Sequence, residues 1–322
     1  MHRNRHFALS LISLIFALLL EQWRPLAERQ ALFNPVGRYS DFLERQFNAG
    51  EAQHGVIAWS LAVLPAVLGT WLVYWLCAYV SPLLALAFNI GILYLTMGFR
   101  QFSHYFTDIH LALKEGDLDR ARQLLGLWRG RSCTHMNAEE ISRLTLEEAL
   151  AASHRNVFGV VFWFVVLPGP SGAVLYRLAM FLRRRWRAYA PDEAPLPGSE
   201  PSQFGNFARD AFAFLDWMPV RVTAAAFAVV GDFEDAVYCW RTQAARWADP
   251  ALGIVLAAGA GALGVRLGMP VVQDGEVLDR PVLGVGEDAD AIVLDSAVGL
   301  VWRALVLYLL MLLLIGIVQA LR

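Results

Sequence analysis

Charged residues are absent from a long part of this chain. Residues 52–99 contain no Asp, Glu, Lys or Arg, although 17% of the 322 residues are charged. A soluble domain seldom buries so long an uncharged stretch, whereas one membrane helix needs only about 20 apolar residues. The stretch is therefore long enough for two membrane-spanning helices, with the turn between them expected at Ser81-Pro82.

Lysine and cysteine are also scarce. Lys114 is the single lysine among the 27 basic residues, which weighs against lysine chemistry. The 3 cysteines, Cys77, Cys133 and Cys239, form no C-x-x-C pair, so neither a disulfide framework nor a zinc knuckle is indicated. The net charge is only −2, which gives no sign of a nucleic-acid partner.

What the chain has in excess is apolar sequence. Hydrophobic residues make up 57% of it and the mean hydropathy is +0.44, above the roughly 45–50% apolar content of soluble domains. We predict an all-α, polytopic membrane protein with four or five spans, in the inner membrane of a bacterial cell, with the lipid bilayer as its main partner. The apolar segments from which the spans are drawn are 7–20, 55–79, 83–99, 156–176, 211–230, 251–265 and 304–321.

Polar stretches separate these segments within what we interpret as a single domain, 1–322. Residues 100–155 are predicted to be a polar helical insertion, because Asp117 and Asn137 are typical helix N-caps. Residues 188–206, rich in proline, are predicted to be a flexible loop. Residues 271–278 are predicted to be a small C-terminal hairpin that turns at Asp274-Gly275.

Few residues point directly to chemistry. The chain has no G-x-x-x-x-G-K-[ST] motif, so its Gly-rich run 259–264 is interpreted as small residues for close helix packing. Asp216 and Arg221 stand within an apolar stretch, where charges usually face a partner or an aqueous cavity. They could form a structural ion pair with each other, or they could line a site for an anionic ligand, since the arginine fork suits phosphate.

Several ordered segments together resemble the CobD/CbiB family of membrane-bound adenosylcobinamide-phosphate synthases. The most specific is Gly261-Ala-Leu-Gly-Val-Arg-Leu-Gly-Met-Pro270. The other segments that carry the resemblance are Asn34-Pro-Val-Gly-Arg38, Gly116-Asp-Leu-Asp-Arg-Ala-Arg-Gln-Leu-Leu-Gly126, Phe158-Gly-Val-Val161, Gly172-Ala-Val-Leu-Tyr-Arg177 and Met218-Pro-Val-Arg-Val-Thr223. The resemblance implies a protein that joins aminopropanol phosphate to a corrinoid carboxyl group with ATP and a divalent metal.

The chain departs from the family at acidic positions. The E-N-x-x-D-G motif of the family is His154-Arg155-Asn-Val-Phe158-Gly159 here, and its G-R-D is Gly130-Arg-Ser132. Carboxylates are the groups that hold a magnesium–ATP complex. We therefore predict no metal site, no cofactor and no catalytic residues.

A sister group resembles the chain at these departures. The AmpE family, inner-membrane proteins of β-lactamase induction signalling, has L-D-W-V-P-V-R-L where this chain has Leu215-Asp-Trp-Met-Pro-Val-Arg-Val222. We therefore favour a non-catalytic, AmpE-like protein that binds a small anionic ligand or a membrane partner and modulates signalling. The alternative is a cobalamin-biosynthesis synthase with an altered site. The candidate ligand-binding residues are Asp216, Arg221, Arg266, Tyr176 and Arg155.

Overall fold

The computed structural model describes residues 2–23, 29–48, 52–186, 203–273 and 276–321. The chain folds into two compact units. Unit 1 comprises Met1–Met97 and Val160–Asp216, and unit 2 comprises Gly98–Gly159 and Trp217–Arg322. Each unit has a hydrophobic core of its own.

Helices dominate both units, and four of those described are long and apolar enough to cross a membrane. They are Gln53–Val80, Ala138–Val166, Phe204–Val230 and Ala291–Val318. This confirms the prediction of an all-α polytopic protein with four or five spans. Three shorter apolar helices accompany them, at Leu9–Trp23, Pro82–Thr96 and Pro250–Leu263.

Unit 1 is a bundle of α-helices. Its elements are α1 (His2–Trp23), α2 (Arg29–Phe47), α3 (Ala52–Val80), α4 (Pro82–Thr96), most of α8 (Gly159–Val166), α9 (Ser171–Arg185) and the first half of α10 (Phe204–Val230). Helix α4 packs against α1, α3 and α9. The predicted turn is confirmed: Ser81 is the N-cap of α4, its hydroxyl accepts the Leu83 N–H at 3.3 Å, and Pro82 opens the helix.

An ion pair joins α9 to α2 in unit 1. Arg185, in the last turn of α9, donates two hydrogen bonds of 2.6 Å to the carboxylate of Asp41 in α2. The next residue, Trp186, is buried in the core with Leu43, Leu182 and other apolar side chains. The paired guanidinium holds the pKa of Asp41 below its usual value, chiefly through these hydrogen bonds.

Unit 2 combines helices with a small β-structure. Its helices are α5 (Phe99–Glu115), α6 (Leu118–Arg129), α7 (Ala138–Ser153), a π-helix (His154–Phe158), the second half of α10, α11 (Phe233–Gln243), a 3₁₀ turn (Ala244–Arg246), α12 (Pro250–Leu263) and α13 (Ala291–Ala320). Its strands are β1 (Val265–Leu267), β2 (Val271–Gln273), β3 (Glu276–Leu278), β4 (Leu283–Gly284) and β5 (Glu287–Asp288). Strand β1 lies between antiparallel β4 and parallel β5.

Helices α5, α6 and α7 form the predicted polar helical insertion. Asp117 caps α6 by accepting the Arg120 N–H, and Asn137 forms a capping box with Glu140 at the start of α7. The three helices enclose a core that includes Ile109, Leu125 and Leu144. Helix α7 continues through the π-helix into α8, so the apolar run begins at Ala138 rather than at residue 156, where the sequence pattern placed it.

Helix α12 is buried, as its short apolar sequence predicts, and its glycines allow close packing on α11. A Cβ atom at Gly261 would lie 2.5 Å from the carbonyl oxygen of Asp235, which only glycine avoids. Strands β2 and β3 pair antiparallel with Gln273 opposite Glu276, which confirms the predicted hairpin. Its turn at Asp274-Gly275, and most of the predicted loop 188–206, lie outside the described residues.

Candidate functional site: a buried polar cluster in unit 2

The π-helix His154–Phe158 interrupts the regular α-helical hydrogen bonding between α7 and α8. Gly159 N–H bonds to the carbonyl of His154, five residues back, instead of four. The displaced carbonyl of Asn156 accepts the N–H of Gly98 at 3.3 Å. Such single-turn π-helices are frequent at functional sites. This one falls on the segment that resembles the family's E-N-x-x-D-G motif.

His154, at the start of the π-helix, is buried against Thr223 of α10. Its Nδ1 lies 2.9 Å from Thr223 Oγ1, and that hydroxyl is 2.9 Å from the carbonyl of Pro219. Since the carbonyl can only accept, the Thr223 hydroxyl donates to it and accepts from His154. The proton of a neutral His154 is therefore on Nδ1.

Phe158 ends the π-helix inside an aromatic cluster. It is fully buried, with ring centroids 5.7 Å from Phe227 and 5.0 Å from Tyr308. The position that resembles the family's aspartate is therefore occupied by packed rings. A phenyl ring cannot ligate a metal or accept a strong hydrogen bond, so this segment supplies structure and not charge.

Arg155 turns to the opposite side of the same turn and pairs with Asp249. The two charged groups are 3.6 Å apart. Asp249 is also the N-cap of α12, where its carboxylate accepts the N–H groups of Ala251 and Leu252. Both residues thus have a structural role at the start of α12.

A mostly buried charged pair in unit 2 joins Glu147 to Arg280, a contact that the sequence did not predict. Glu147 of α7 accepts a hydrogen bond of 2.7 Å from Arg280 and another of 2.9 Å from the N–H of Gly268. Arg280 also donates to the carbonyls of Gly268 and Met269, at 2.8 and 3.2 Å, and its guanidinium lies 5.5 Å from the ring centre of Trp247. This network fixes the loop that follows β1. The loop is strained, since Met269 has a φ of +64°.

Arg143 lies one turn before Glu147 on α7 and was also missed. It is 4% exposed, and its Nε is enclosed without a hydrogen-bond partner in the described part of the chain. The charged groups that act on it are Glu147 and Arg280, followed by Glu140 and Glu139. Its sequence signal was weak, because a single arginine in a helix rich in Glu is typical of an exposed polar face.

The residues predicted to bind a ligand are divided between the two units. In unit 1, the Tyr176 hydroxyl donates to Asp216 Oδ1 at 2.8 Å, and both side chains are buried. In unit 2, Arg221 donates to the carbonyl of Trp217 at 2.7 Å and lies 4.1 Å from the centre of its ring. Arg266 pairs with Asp288 at 2.9 Å. Because Asp216 and Arg221 belong to different units, the ion pair proposed between them stays a prediction.

The described residues contain no group of three or more His, Cys, Asp or Glu side chains placed to hold a metal ion. The acids that lie near the family positions in unit 2 are individually engaged. Glu147 is held by Arg280, Glu148 by Arg129 at 3.4 Å, and Asp249 by Arg155. The arrangement therefore provides buried guanidinium groups, which are suited to binding an anion.

The sequence model of the CobD/CbiB protein family matches residues 14–301. This chain belongs to the CobD/CbiB family. The cobalamin biosynthesis protein CobD of Stutzerimonas stutzeri is 36% identical over 94% of this chain and 96% of its own length. The protein of the same name from Chromobacterium violaceum is 35% identical over 79% of this chain and 77% of its own. The cobalamin biosynthesis protein CbiB of Salmonella arizonae is 24% identical over 78% and 77%.

No solved structure matches the chain. The family and the membrane-protein fold are thus confirmed. The relatives carry names from cobalamin biosynthesis, and nothing in these comparisons supports the AmpE-like signalling role that the sequence motifs suggested.

Proposed function

We propose that this chain acts in cobalamin biosynthesis, as a multi-pass protein of the bacterial inner membrane. The observation that supports this best is the similarity, at 36% identity over 94% of the chain, to a cobalamin biosynthesis protein. A match of that length extends over both units. The four long apolar helices support the membrane location.

Within that pathway, we propose that the protein binds an anionic intermediate of corrinoid synthesis. Corrinoid precursors carry carboxyl groups, and arginine is the side chain best suited to bind carboxylate or phosphate. Arg143 and the Glu147–Arg280 pair bring two guanidinium groups and one carboxylate together in a buried place. Arg143, whose Nε has no hydrogen-bond partner among the described residues, is the guanidinium there that would bind a negatively charged ligand.

The magnesium–ATP complex that the family resemblance implies does not fit the described residues. A magnesium site is built from one or two carboxylates that remain free to face the metal and its waters. In unit 2 the acids near the family positions are instead paired with arginines, and Phe158 fills an acidic position with a packed ring. We therefore assign no reaction step to that complex.

A binding measurement tests the proposed role. The purified full-length chain, in detergent micelles, is dialysed against adenosylcobyric acid, and the corrinoid is measured by its visible absorbance. We expect the corrinoid to accumulate on the protein side, with a matched chamber of empty micelles as the control. Equal corrinoid on the two sides, with protein shown to be folded by its thermal transition, would contradict the proposal.

A second candidate is the amide-forming synthase itself, and the π-helix is the observation that favours it. The irregular turn lies on the segment that resembles the family's acidic motif, and such turns are frequent at functional sites. Complementation distinguishes the candidates. In a strain that lacks the cobinamide-phosphate synthase, growth on cobyric acid after expression of this chain would establish the synthase. Growth only on cobinamide, which bypasses that step, would leave the binding role.

A further inference from the structure

The turn between α3 and α4 in unit 1, residues 79–84, carries apolar side chains where a turn in water carries polar ones. Tyr79, Val80 and Leu83 are 80%, 65% and 75% exposed. No charged residue lies near them along the chain, since residues 52–99 contain none. A contiguous exposed apolar patch marks contact with a partner or with lipid. We name residues 79–84 the α3–α4 tip, and its surface requires a covering partner.

The backbone of the α3–α4 tip suits a place with little water. The Ser81 N–H donates to the carbonyl of Cys77 at 2.8 Å, and the Ala85 N–H donates to the carbonyl of Ser81 at 3.2 Å. The Leu83 N–H donates to the Ser81 hydroxyl at 3.3 Å, and Pro82 has no N–H. At membrane depth, a backbone donor has to find its partner within the protein. These donors meet that requirement without water.

Two aromatic side chains indicate the level of the tip in a membrane. The rings of Trp75 and Tyr79 are stacked with their centroids 6.0 Å apart, and both side chains are more than half exposed at the end of α3. Trp and Tyr are enriched where acyl chains meet headgroups, because one end of each side chain is apolar and the other is polar. The exposed apolar face continues along α3 through Leu72 and Leu68. The tip is thus the end of a lipid-facing surface and not an isolated patch.

The two helices joined by the tip differ in length. At about 1.5 Å per residue, the 29 residues of α3 measure about 43 Å and the 15 residues of α4 about 22 Å. The hydrocarbon core is about 30 Å thick, so α3 can cross it and α4 cannot. The far end of α4 is instead enclosed by protein, since Leu93 and Met97 are fully buried and Thr96 is nearly so.

We propose that the α3–α4 tip lies in the lipid bilayer, at the boundary between headgroups and acyl chains, and that α4 is a re-entrant helix. It enters the membrane at the tip and ends within it, where protein covers its last turn. The partner of the exposed surface is lipid, and not water or a second protein chain. The inference rests on the membrane location in the proposed function and is independent of the role in cobalamin biosynthesis.

Fluorescence quenching of the full-length chain in lipid nanodiscs tests the position of the tip. The background is Cys77→Ala, in which the remaining cysteines, Cys133 and Cys239, are buried. Leu83→Cys in that background carries an environment-sensitive fluorophore. One quencher is iodide, which reaches both faces of a nanodisc from the water. The others are phospholipids with a nitroxide on the acyl chain, either near the headgroup or near the chain end.

We expect the nitroxide near the headgroup to quench Leu83→Cys most strongly. Iodide should quench it several-fold less than Asp119→Cys, because an ion is excluded from apolar surroundings. Asp119→Cys is the aqueous control, since that side chain is 84% exposed in the polar helical insertion. Leu95→Cys, an exposed position near the end of α4, should also be shielded from iodide and should respond to the nitroxide near the chain end. Iodide quenching of Leu95→Cys as strong as that of the control would show that α4 reaches water, which would overturn its assignment as re-entrant.

Leu68→Cys, an exposed position in the middle of α3, separates failure of this proposal from failure of the membrane location. If lipid nitroxides quench Leu68→Cys but iodide quenches Leu83→Cys as strongly as Asp119→Cys, the tip lies in water and only the present proposal is overturned. If lipid nitroxides do not quench Leu68→Cys, the membrane location fails as well. A Leu83→Cys fluorophore that neither kind of quencher reaches would lie under protein, such as a second copy, and would also overturn the proposal. Val80→Cys repeats the measurement if Leu83→Cys has no cooperative thermal transition.

Discussion

At the scale of single residues, the described structure shows how polar groups are kept within apolar helices. Pro219 has no N–H to offer the Leu215 carbonyl, and the indole N–H of Trp163 bonds to that carbonyl instead at 3.0 Å. The Thr223 hydroxyl serves both the Pro219 carbonyl and His154. Each buried polar atom in these chains of contacts has an identifiable partner, which is the requirement in a medium without water.

The His154–Thr223 contact gives the first prediction. Thr223→Val keeps the shape of the side chain but removes the oxygen that accepts from His154. We expect the free energy of unfolding to fall by about 1–3 kcal/mol, the usual cost of an unsatisfied buried donor. Urea or SDS titration in micelles measures it. Thr70→Val is the control, because Thr70 also bonds to the carbonyl four residues back, at 2.7 Å, but has no histidine partner. Equal losses for the two variants would contradict the assignment.

The Asp41–Arg185 pair gives a prediction about pH. The pKa of Asp41 is lowered in the folded state, so the pair contributes stability above the unfolded pKa, about 3.9. That contribution is lost as the pH falls through the folded value. A double-mutant cycle with Asp41→Asn and Arg185→Gln should show a favourable coupling at pH 7 that vanishes in acid. Because the pair is partly exposed, the coupling should be modest and weaker in high salt.

Sequence reasoning succeeded unevenly at this scale. It placed Tyr176 and Asp216 among the candidates, and the structure joins them at 2.8 Å. It overlooked Arg143 and the contact between Glu147 and Arg280, because Arg280 is 133 residues from Glu147 in the chain and contacts it only after folding. A pattern along one helix cannot show which of its charges a distant loop will enclose.

At the scale of elements, close backbone approach decides how α11 and α12 pack. Gly253 and Gly261 both lie where a Cβ atom would meet a backbone oxygen, at 2.3 Å from Ala244 and 2.5 Å from Asp235. The glycines of α12 therefore allow it to touch the backbone of α11 at Asp235 and that of the following 3₁₀ turn at Ala244. This is the close packing that small residues permit in membrane proteins.

Substitution at Gly261 tests that packing. Gly261→Ala should lower the free energy of unfolding by about 1–3 kcal/mol, because the neighbouring backbone has to move. Gly299→Ala is the matched control, since nothing lies within 4 Å of a Cβ built there. In the control, alanine should be neutral or stabilising by up to about 1 kcal/mol, because it favours the helix. The measurement is thermal or urea unfolding of both variants. If Gly261→Ala left the free energy of unfolding unchanged, α12 would have room to shift away from α11.

The elements were more predictable than the sites. The Ser81-Pro82 turn, the caps at Asp117 and Asn137, and the hairpin pairing all follow from local chemistry, and the structure has each of them. The extent of α7 was not predictable in the same way. Its Glu and Arg residues gave it a polar sequence, whereas in the fold most of its side chains are buried. Its continuity with the π-helix and α8, which periodicity does not show, made it part of a candidate span.

At the scale of the whole molecule, the chain is a member of a cobalamin-biosynthesis family with a large apolar surface. Only 11% of the most apolar window in Gln53–Val80 and 22% of that in Ala291–Val318 are buried by protein. Side chains such as Leu68, Trp75 and Leu314 are more than half exposed. In water such surfaces would associate, so their natural environment is lipid. Family membership and membrane character therefore agree, although the acidic motif has changed.

The central claim is that this protein serves cobalamin biosynthesis, and the cobalamin content of its own host tests it most directly. The gene is deleted, cells are grown without added corrinoids, and cobalamin is measured by mass spectrometry. We predict a fall in cobalamin that the wild-type gene restores. Cobalamin that is unchanged in the deletion strain, with no second family member in the genome to replace the protein, would contradict the account.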